Sequence, residues 1–235
     1  MGVYLGPEQV LAQRCERDGQ PKGYWENIQI ISLNDAILAR HGGSWDEPPI
    51  SPARWEASAL IDDLKERGRM LVRDTFANAV MWGWKDPRNC LTLPFWQQLL
   101  PEMRYVVCLR NPVDVAHSLA HRDGFSAEKS SRLWLRYVSS ALEHSAGQSR
   151  LIVFYEDLMN NWPRELQRLA NFLGNSGRAQ QIDVREAVQM FIEQRLQHYR
   201  TSIPQMMTNR KISFRAKALY LAQRISAKCP NKTNW

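Results

Sequence analysis

Apolar and polar residues alternate along this chain in blocks that switch between helical and strand periods. In "ENIQIISLNDAILARHGG" (26–43), Ile30, Ile31, Leu33, Ile37 and Leu38 form one stripe, and Gly42-Gly43 supplies the stop. The spacing predicts a helix there, a loop in "SWDEPPISP" and a second helical region from Pro52 to about Asn78. The short apolar run "AVMWGW" (79–84) meets the polar "KDPR" and reads as a buried strand reaching a loop. A helix from about Leu91 to Leu100 follows, then a strand over 105–109, a helix from Pro112 and a longer one from about Ser126 to Ser145. "RLIVFYEDL" (150–158) reads as a further buried strand ending in a polar loop, and "WPRELQRLANFLG" as a helix closed by Gly174. Strands alternating with amphipathic helices predict an α/β domain with a mostly parallel sheet.

Ligands of such sheets sit beyond the carboxyl ends of the strands. Three predicted strand ends release polar residues: Lys85-Asp86-Pro87-Arg88, Arg110-Asn111 and Tyr155-Glu156-Asp157. In "RYVVCLRNPVDVAHSLAHR" (104–122), Pro112 suits the first helical position and Asn111 before it can cap the exposed N–H groups. Arg110 therefore falls where a strand hands over to a helix N-terminus, a favourable place for an anion. A guanidinium fork suits phosphate. Ser118 lies seven residues into that helix, roughly 10 Å along its axis, and could approach a phosphate only from the side. The alternative is that Arg110 pairs with a carboxylate and Ser118 is a small packing residue.

Length and charge narrow the class. The 235 residues, 44% of them hydrophobic, suffice for a substantial core, and no apolar run approaches a membrane span. "MGVYLGPEQV" has no secretory pattern, and Gly6 breaks the myristoylation pattern. Cys15, Cys90, Cys108 and Cys229 are isolated and read as reduced thiols, which with the missing leader predicts a cytoplasmic protein. The net charge of +7 is unevenly placed. From Arg195 to Trp235 there are nine Lys/Arg and no acid, so residues 1–194 carry 22 basic and 24 acidic residues, a net of −2. That division predicts an α/β domain over 1–194 and a basic helical tail over 195–235, and it argues against a nucleic-acid-binding face on the domain. Within the tail, "ISFRAKALYLAQRISAK" (212–228) fits a basic amphipathic helix. It is expected as a solvated helix end, the alternatives being contact with acidic lipid or cover over a cofactor.

"LRNPVDVAHS" resembles the 3′-phosphate-binding segment of sulfotransferases that use 3′-phosphoadenosine 5′-phosphosulfate (PAPS). In that family an arginine ending a strand and a serine eight residues later hold the 3′-phosphate, which implies that role for Arg110 and Ser118. "LIVFYEDLMNNWPRELQRLANFLG" is similar to the family's segment whose tyrosine lies near the adenine, implying Tyr155. "KDPRNCLTLPFW" looks like the loop whose lysine contacts the transferred sulfuryl group, implying Lys85. "KGYWENIQIISLNDAILARHGGSWDEPP" is like the segment that precedes this core in bacterial members, and the resemblance covers roughly residues 1–175. Where cytosolic small-molecule sulfotransferases carry a histidine two residues after the lysine, this chain has Pro87. Its "KDP" form resembles the protein-tyrosine sulfotransferase branch, which takes a glutamate from elsewhere as base. Glu26 and Asp86 are the candidates for that role. Glu26 reads equally as a helix N-terminal acid and Asp86 as the start of a turn.

The resemblance implies a P-loop NTPase-like three-layer α/β sandwich with PAPS as co-substrate, a hydroxyl or amine acceptor and no metal. It also implies a first strand and a Gly/Ser/Thr-rich phosphate loop, which this sequence lacks ahead of "GVYLGPEQV". The expectation is therefore either a sulfotransferase whose phosphate loop is supplied upstream or a protein inactive as encoded. The alternative is a non-catalytic adenine-nucleotide-binding or scaffold protein of the same fold. A P-loop kinase is disfavoured, since no G-x-x-x-x-G-K-[ST] occurs.

Overall fold

Asn27 opens the first helix, its Oδ1 accepting from the backbone N–H groups of Gln29 and Ile30. That helix, α1, spans Ile28–Arg40; α2 spans Asp62–Phe76 and α3 Asn89–Leu99. These elements belong to a computed structural model that describes residues 2–12, 24–50, 55–175, 186, 188, 189 and 199–228. Cys15, Cys229 and the tail residues 195–198 lie outside the described residues. The chain divides into two compact units, Gly2–Met103 with Ser139–His144, and Arg104–Val138 with the residues from Ser145 onward.

The first unit is helical. Ile30, Leu33 and Ile37 of α1 bury the predicted stripe against Leu64 and Phe76 of α2 and Phe95 and Trp96 of α3. Each such side chain contributes on the order of 1.5–3 kcal/mol. Gly68 permits the close approach of α2 to α3, since a Cβ there would stand 2.7 Å from Leu99 Cδ1. The helical region expected from Pro52 begins instead with two short 3-10 turns, Trp55–Ala57 and Ala59–Ile61.

Residues 79–84 do not form the expected strand. Their only ladder contact among the described residues is a parallel bridge of Trp82 to Tyr4. Tyr4 N donates to Met81 O at 2.9 Å and Gly83 N donates to Tyr4 O at 3.0 Å. The apolar character of this run serves ring packing instead. Trp82 stacks on Phe76 at 4.5 Å and Trp84 meets Trp96 at 4.8 Å, while Val80 is fully exposed.

The second unit holds a parallel pair, β1 (Tyr105–Leu109) and β2 (Arg150–Phe154), in the register Tyr105↔Arg150 to Leu109↔Phe154. The helices are α4 (Pro112–Asp123), α5 (Ala127–His144, whose last residues fall in the first unit), α6 (Tyr155–Asn160) and α7 (Trp162–Leu173). They are followed by α8 (Ile203–Thr208) and α9 (Phe214–Lys228). This is the α/β class that the alternation predicts, rich in helix and with a small parallel sheet.

Three local expectations are corrected here. β1 is not buried on both faces, because Tyr105 and Leu109 point inward while Val106 and Cys108 are exposed. The polar loop expected after β2 is instead a helix: β2 ends at Phe154, and α6 begins at Tyr155 with Glu156 and Asp157 in its first turn, where acids favour a helix start. Finally, α9 is not a solvated helix end. Ala216 and Tyr220 are buried, and Tyr220 meets Phe154 at 5.8 Å and Trp134 at 6.4 Å. Gly174 does end α7, in the left-handed conformation with φ 78° that favours glycine.

Candidate functional site

The candidate side chains fall into two groups, one in each unit. In the helical unit the loop after Trp84 sends two neighbouring residues to opposite fates. Lys85 pairs with Glu26 Oε1, donates to the Tyr24 carbonyl at 3.4 Å and lies 5.9 Å from the Tyr24 ring centroid. The Lys85 side chain is 56% exposed and that of Glu26 10%. Glu26 is presented by an unusual backbone: Trp25 before it has φ 55°, a left-handed conformation that bulky residues rarely adopt. Such geometry costs on the order of 1–3 kcal/mol and persists where surrounding contacts impose it. The Asn27 cap and the Ala12 N–H···O=C Glu26 bond (2.7 Å) are two of those contacts.

Asp86 turns inward and its side chain is fully buried. It accepts from Asn34 Nδ2 at 2.8 Å, from the Arg88 backbone N–H at 3.0 Å and from Arg88 Nη1 at 3.0 Å. Asn34 is the hub of this cluster. Its Nδ2 also donates to Asn89 Oδ1 (2.9 Å), and its Oδ1 accepts from Thr92 Oγ1 (2.8 Å) and Trp96 Nε1 (2.9 Å). Both donors and both acceptor positions of the amide are thus used. Arg88 also donates from Nε to Asp35 Oδ1 at 2.6 Å. Burial pulls the Arg88 pKa down, but its two carboxylates outweigh that and hold it above the ordinary value.

In the sheet unit, Asn111 caps α4 by accepting from Val113 N at 3.0 Å, with Pro112 at the first helical position. Arg110, at the end of β1, lays its guanidinium over the Tyr155 ring at 4.6 Å. No carboxylate pairs with it among the described residues, and its Nε is buried without a hydrogen-bond partner. The pairing alternative for Arg110 therefore has no counterpart here. Burial pushes the Tyr155 phenol up, with the Arg110 charge opposing. The structure brings Arg110 and Tyr155 together. Ser118 is half-buried on α4, and no hydrogen bond joins it to either residue.

Sequence reasoning missed what holds this second group in place. Glu156 Oε1 accepts from the Asn111 backbone N–H at 2.7 Å, and Glu156 Oε2 accepts from Tyr220 Oη at 2.9 Å. One carboxylate thus ties the end of β1 to α9. Burial, then Glu156, drives the Tyr220 phenol far above its usual value. Asp114 accepts from the Thr201 backbone N–H at 3.0 Å, Thr201 O accepts from Asn111 Nδ2 at 3.0 Å, and Arg224 pairs with Asp157 at 2.7 Å. Asn34 carried a legible signal, a polar residue on the buried stripe between Ile30 and Ile37. Glu156 and Tyr220 carried none, because their meeting depends on tertiary packing.

Among the described residues, no group of three or more His, Cys, Asp or Glu is placed to hold a metal ion, and no helix is long and apolar enough to cross a membrane. Residues 15–177 match the model of a family described as the sulfotransferase family. No curated protein and no solved structure matches the chain.

Proposed function

The chain belongs to the sulfotransferase family, and from that premise we propose that it transfers a sulfuryl group from PAPS to a hydroxyl or amine acceptor. The observation that carries the reading is Arg110, a cation at a strand end and helix N-terminus that has no carboxylate partner among the described residues, lies against an aromatic ring and has a buried, unpartnered Nε. A buried donor without an acceptor is costly, and an anion would relieve that cost. The residues present thus fit a phosphorylated adenine nucleotide. Arg110 would hold the 3′-phosphate, Ser118 would flank it from α4, and Tyr155 would lie beside the adenine.

When bound, PAPS supplies an activated sulfuryl group. The task left to the protein is positioning and charge neutralisation, as in phosphoryl transfer. In this proposal the half-exposed Lys85 ammonium would offset charge on the departing oxygen. Glu26 is the base of this proposal, since its carboxylate already meets Lys85 and can accept a proton from an acceptor hydroxyl. Asp86 takes the structural role, because donors from Asn34 and Arg88 occupy both of its oxygens. The test is release of 3′-phosphoadenosine 5′-phosphate from PAPS in the presence of a panel of phenols, sugars and amines. Acceptor-dependent release by the wild type that falls in Glu26→Gln, but not in Ser32→Ala, supports the reading. Absence of release with every acceptor class, alongside intact nucleotide binding, favours a non-catalytic nucleotide-binding protein.

A further inference from the structure

The segment Thr201–Lys228 buries one set of side chains and turns a different set outward. Met206, Ile212, Ala216 and Tyr220 are buried. Ile203, Met207 and Phe214 are exposed, Phe214 to 75%. Ile203 and Met207 stand four residues apart and share one face of α8. Lys217 Nζ donates to the carbonyls of Met207 and Asn209, which fixes the first turn of α9 against the end of α8. Phe214 precedes Lys217 by one helical turn, so the three apolar side chains belong to adjoining turns of one locally braced segment.

Cations occupy the same stretch. Arg210, Lys211 and Arg215 are exposed, and no carboxylate pairs with any of them among the described residues. Several surface cations elsewhere are matched by carboxylates, as in Arg40–Asp63, Lys65–Asp62, Arg69–Glu66 and Arg132–Glu128. Three other cations of the tail are used internally, Lys217 on carbonyls, Arg224 on Asp157 and Arg200 on Asn160. The absence of any acid from Arg195 to Trp235 leaves this surplus uncompensated within the segment.

Protruding apolar side chains bracketed by unpaired cations match the chemistry of a bilayer with anionic headgroups. The cations meet phosphates, and the Phe214 ring enters the headgroup–acyl boundary. A nucleic acid would use the cations and the single Phe214 ring, but it would leave Ile203 and Met207 facing water. We infer that Ile203–Arg215 is a docking patch for an anionic membrane surface. This inference stands apart from the sulfuryl-transfer reading.

Co-sedimentation of the full chain with vesicles tests it, comparing phosphatidylcholine alone with phosphatidylcholine containing phosphatidylglycerol. The expected result is binding to the anionic vesicles, reversed by salt and absent on the neutral ones. Arg210→Gln/Lys211→Gln/Arg215→Gln should weaken binding about a hundredfold, roughly fivefold per charge removed. Phe214→Ala should weaken it about tenfold. All four positions are exposed, so the far-UV spectrum and unfolding midpoint of each variant should match the wild type. Equal sedimentation with both vesicles, undiminished binding by the triple variant, or binding to a short RNA duplex but not to anionic vesicles would each overturn the inference.

Discussion

The Lys85 group and the Arg110 group treat charge in opposite ways. Around Lys85 the positive and negative groups neutralise one another: Lys85 meets Glu26, and Arg88 bridges Asp86 and Asp35. Around Arg110 the acids are already committed, Glu156 to Asn111 and Tyr220, Asp114 to Thr201 and Asp157 to Arg224, so none among the described residues is left to pair with the guanidinium. The first group resembles a catalytic pair on a rigid support. The second resembles a site that waits for an anion. A charge that the protein declines to neutralise is a better pointer to a ligand than a charge it has paired.

The largest expected effect would break the support of the first group. Asp86→Ala strips Arg88 of a buried partner and Asn34 of an acceptor, and should destabilise the protein by about 3–5 kcal/mol in urea unfolding. Lys85→Ala, one residue away, should cost clearly less stability because Lys85 is more than half exposed. Its turnover, however, should drop about 10²–10³-fold. Similar stability losses for the two variants would erase the distinction between pair and support. Tyr220→Phe removes the Tyr220–Glu156 hydrogen bond on the Arg110 side. About 1 kcal/mol should be lost, a downward shift of roughly 2–4 °C in the thermal midpoint.

The smallest effect is pH-dependent and lies in the helical unit. His41 packs edge-on against Trp55 at 4.9 Å with its Nε2 buried and unpartnered, and burial holds its pKa below the ordinary 6.5. The unfolded chain therefore binds a proton that the folded chain refuses. Stability should be level above pH ~6.5 and decline as pH falls from there towards the depressed folded value. His41→Gln should lack that decline. Unfolding free energies measured across this window that run parallel for wild type and variant would assign the slope to other groups.

How much of this was legible in sequence differs between the groups. Helix periodicity located α1, α3, α4, α5 and α7 because each buries a stripe that local spacing reports. The apolar run at 79–84 misled, since Trp82 and Trp84 are apolar for the sake of stacking on Phe76 and Trp96, and composition does not separate ring packing from a strand ladder. The residues after β2 read as a polar loop because the start of α6 is signalled only by Glu156 and Asp157, which suit a loop as well as a first helical turn. Among the candidate site residues, Arg110 and Tyr155 do follow strands, as the apolar runs before them indicated, whereas the run before Lys85 forms no strand among the described residues. The roles of Glu156 and Tyr220 were not, because 64 residues separate them and only the packed fold brings them within 2.9 Å.

Isothermal titration with 3′-phosphoadenosine 5′-phosphate addresses the unneutralised arginine directly. The wild type should bind, and Arg110→Ala should lose about 1.5–3 kcal/mol of binding free energy, the worth of a hydrogen bond to a charged group. The Lys85→Ala variant should bind nearly as well as wild type. No binding by the folded wild-type chain, or equal affinity of wild type and Arg110→Ala, would contradict the account of Arg110 as the residue that holds the nucleotide.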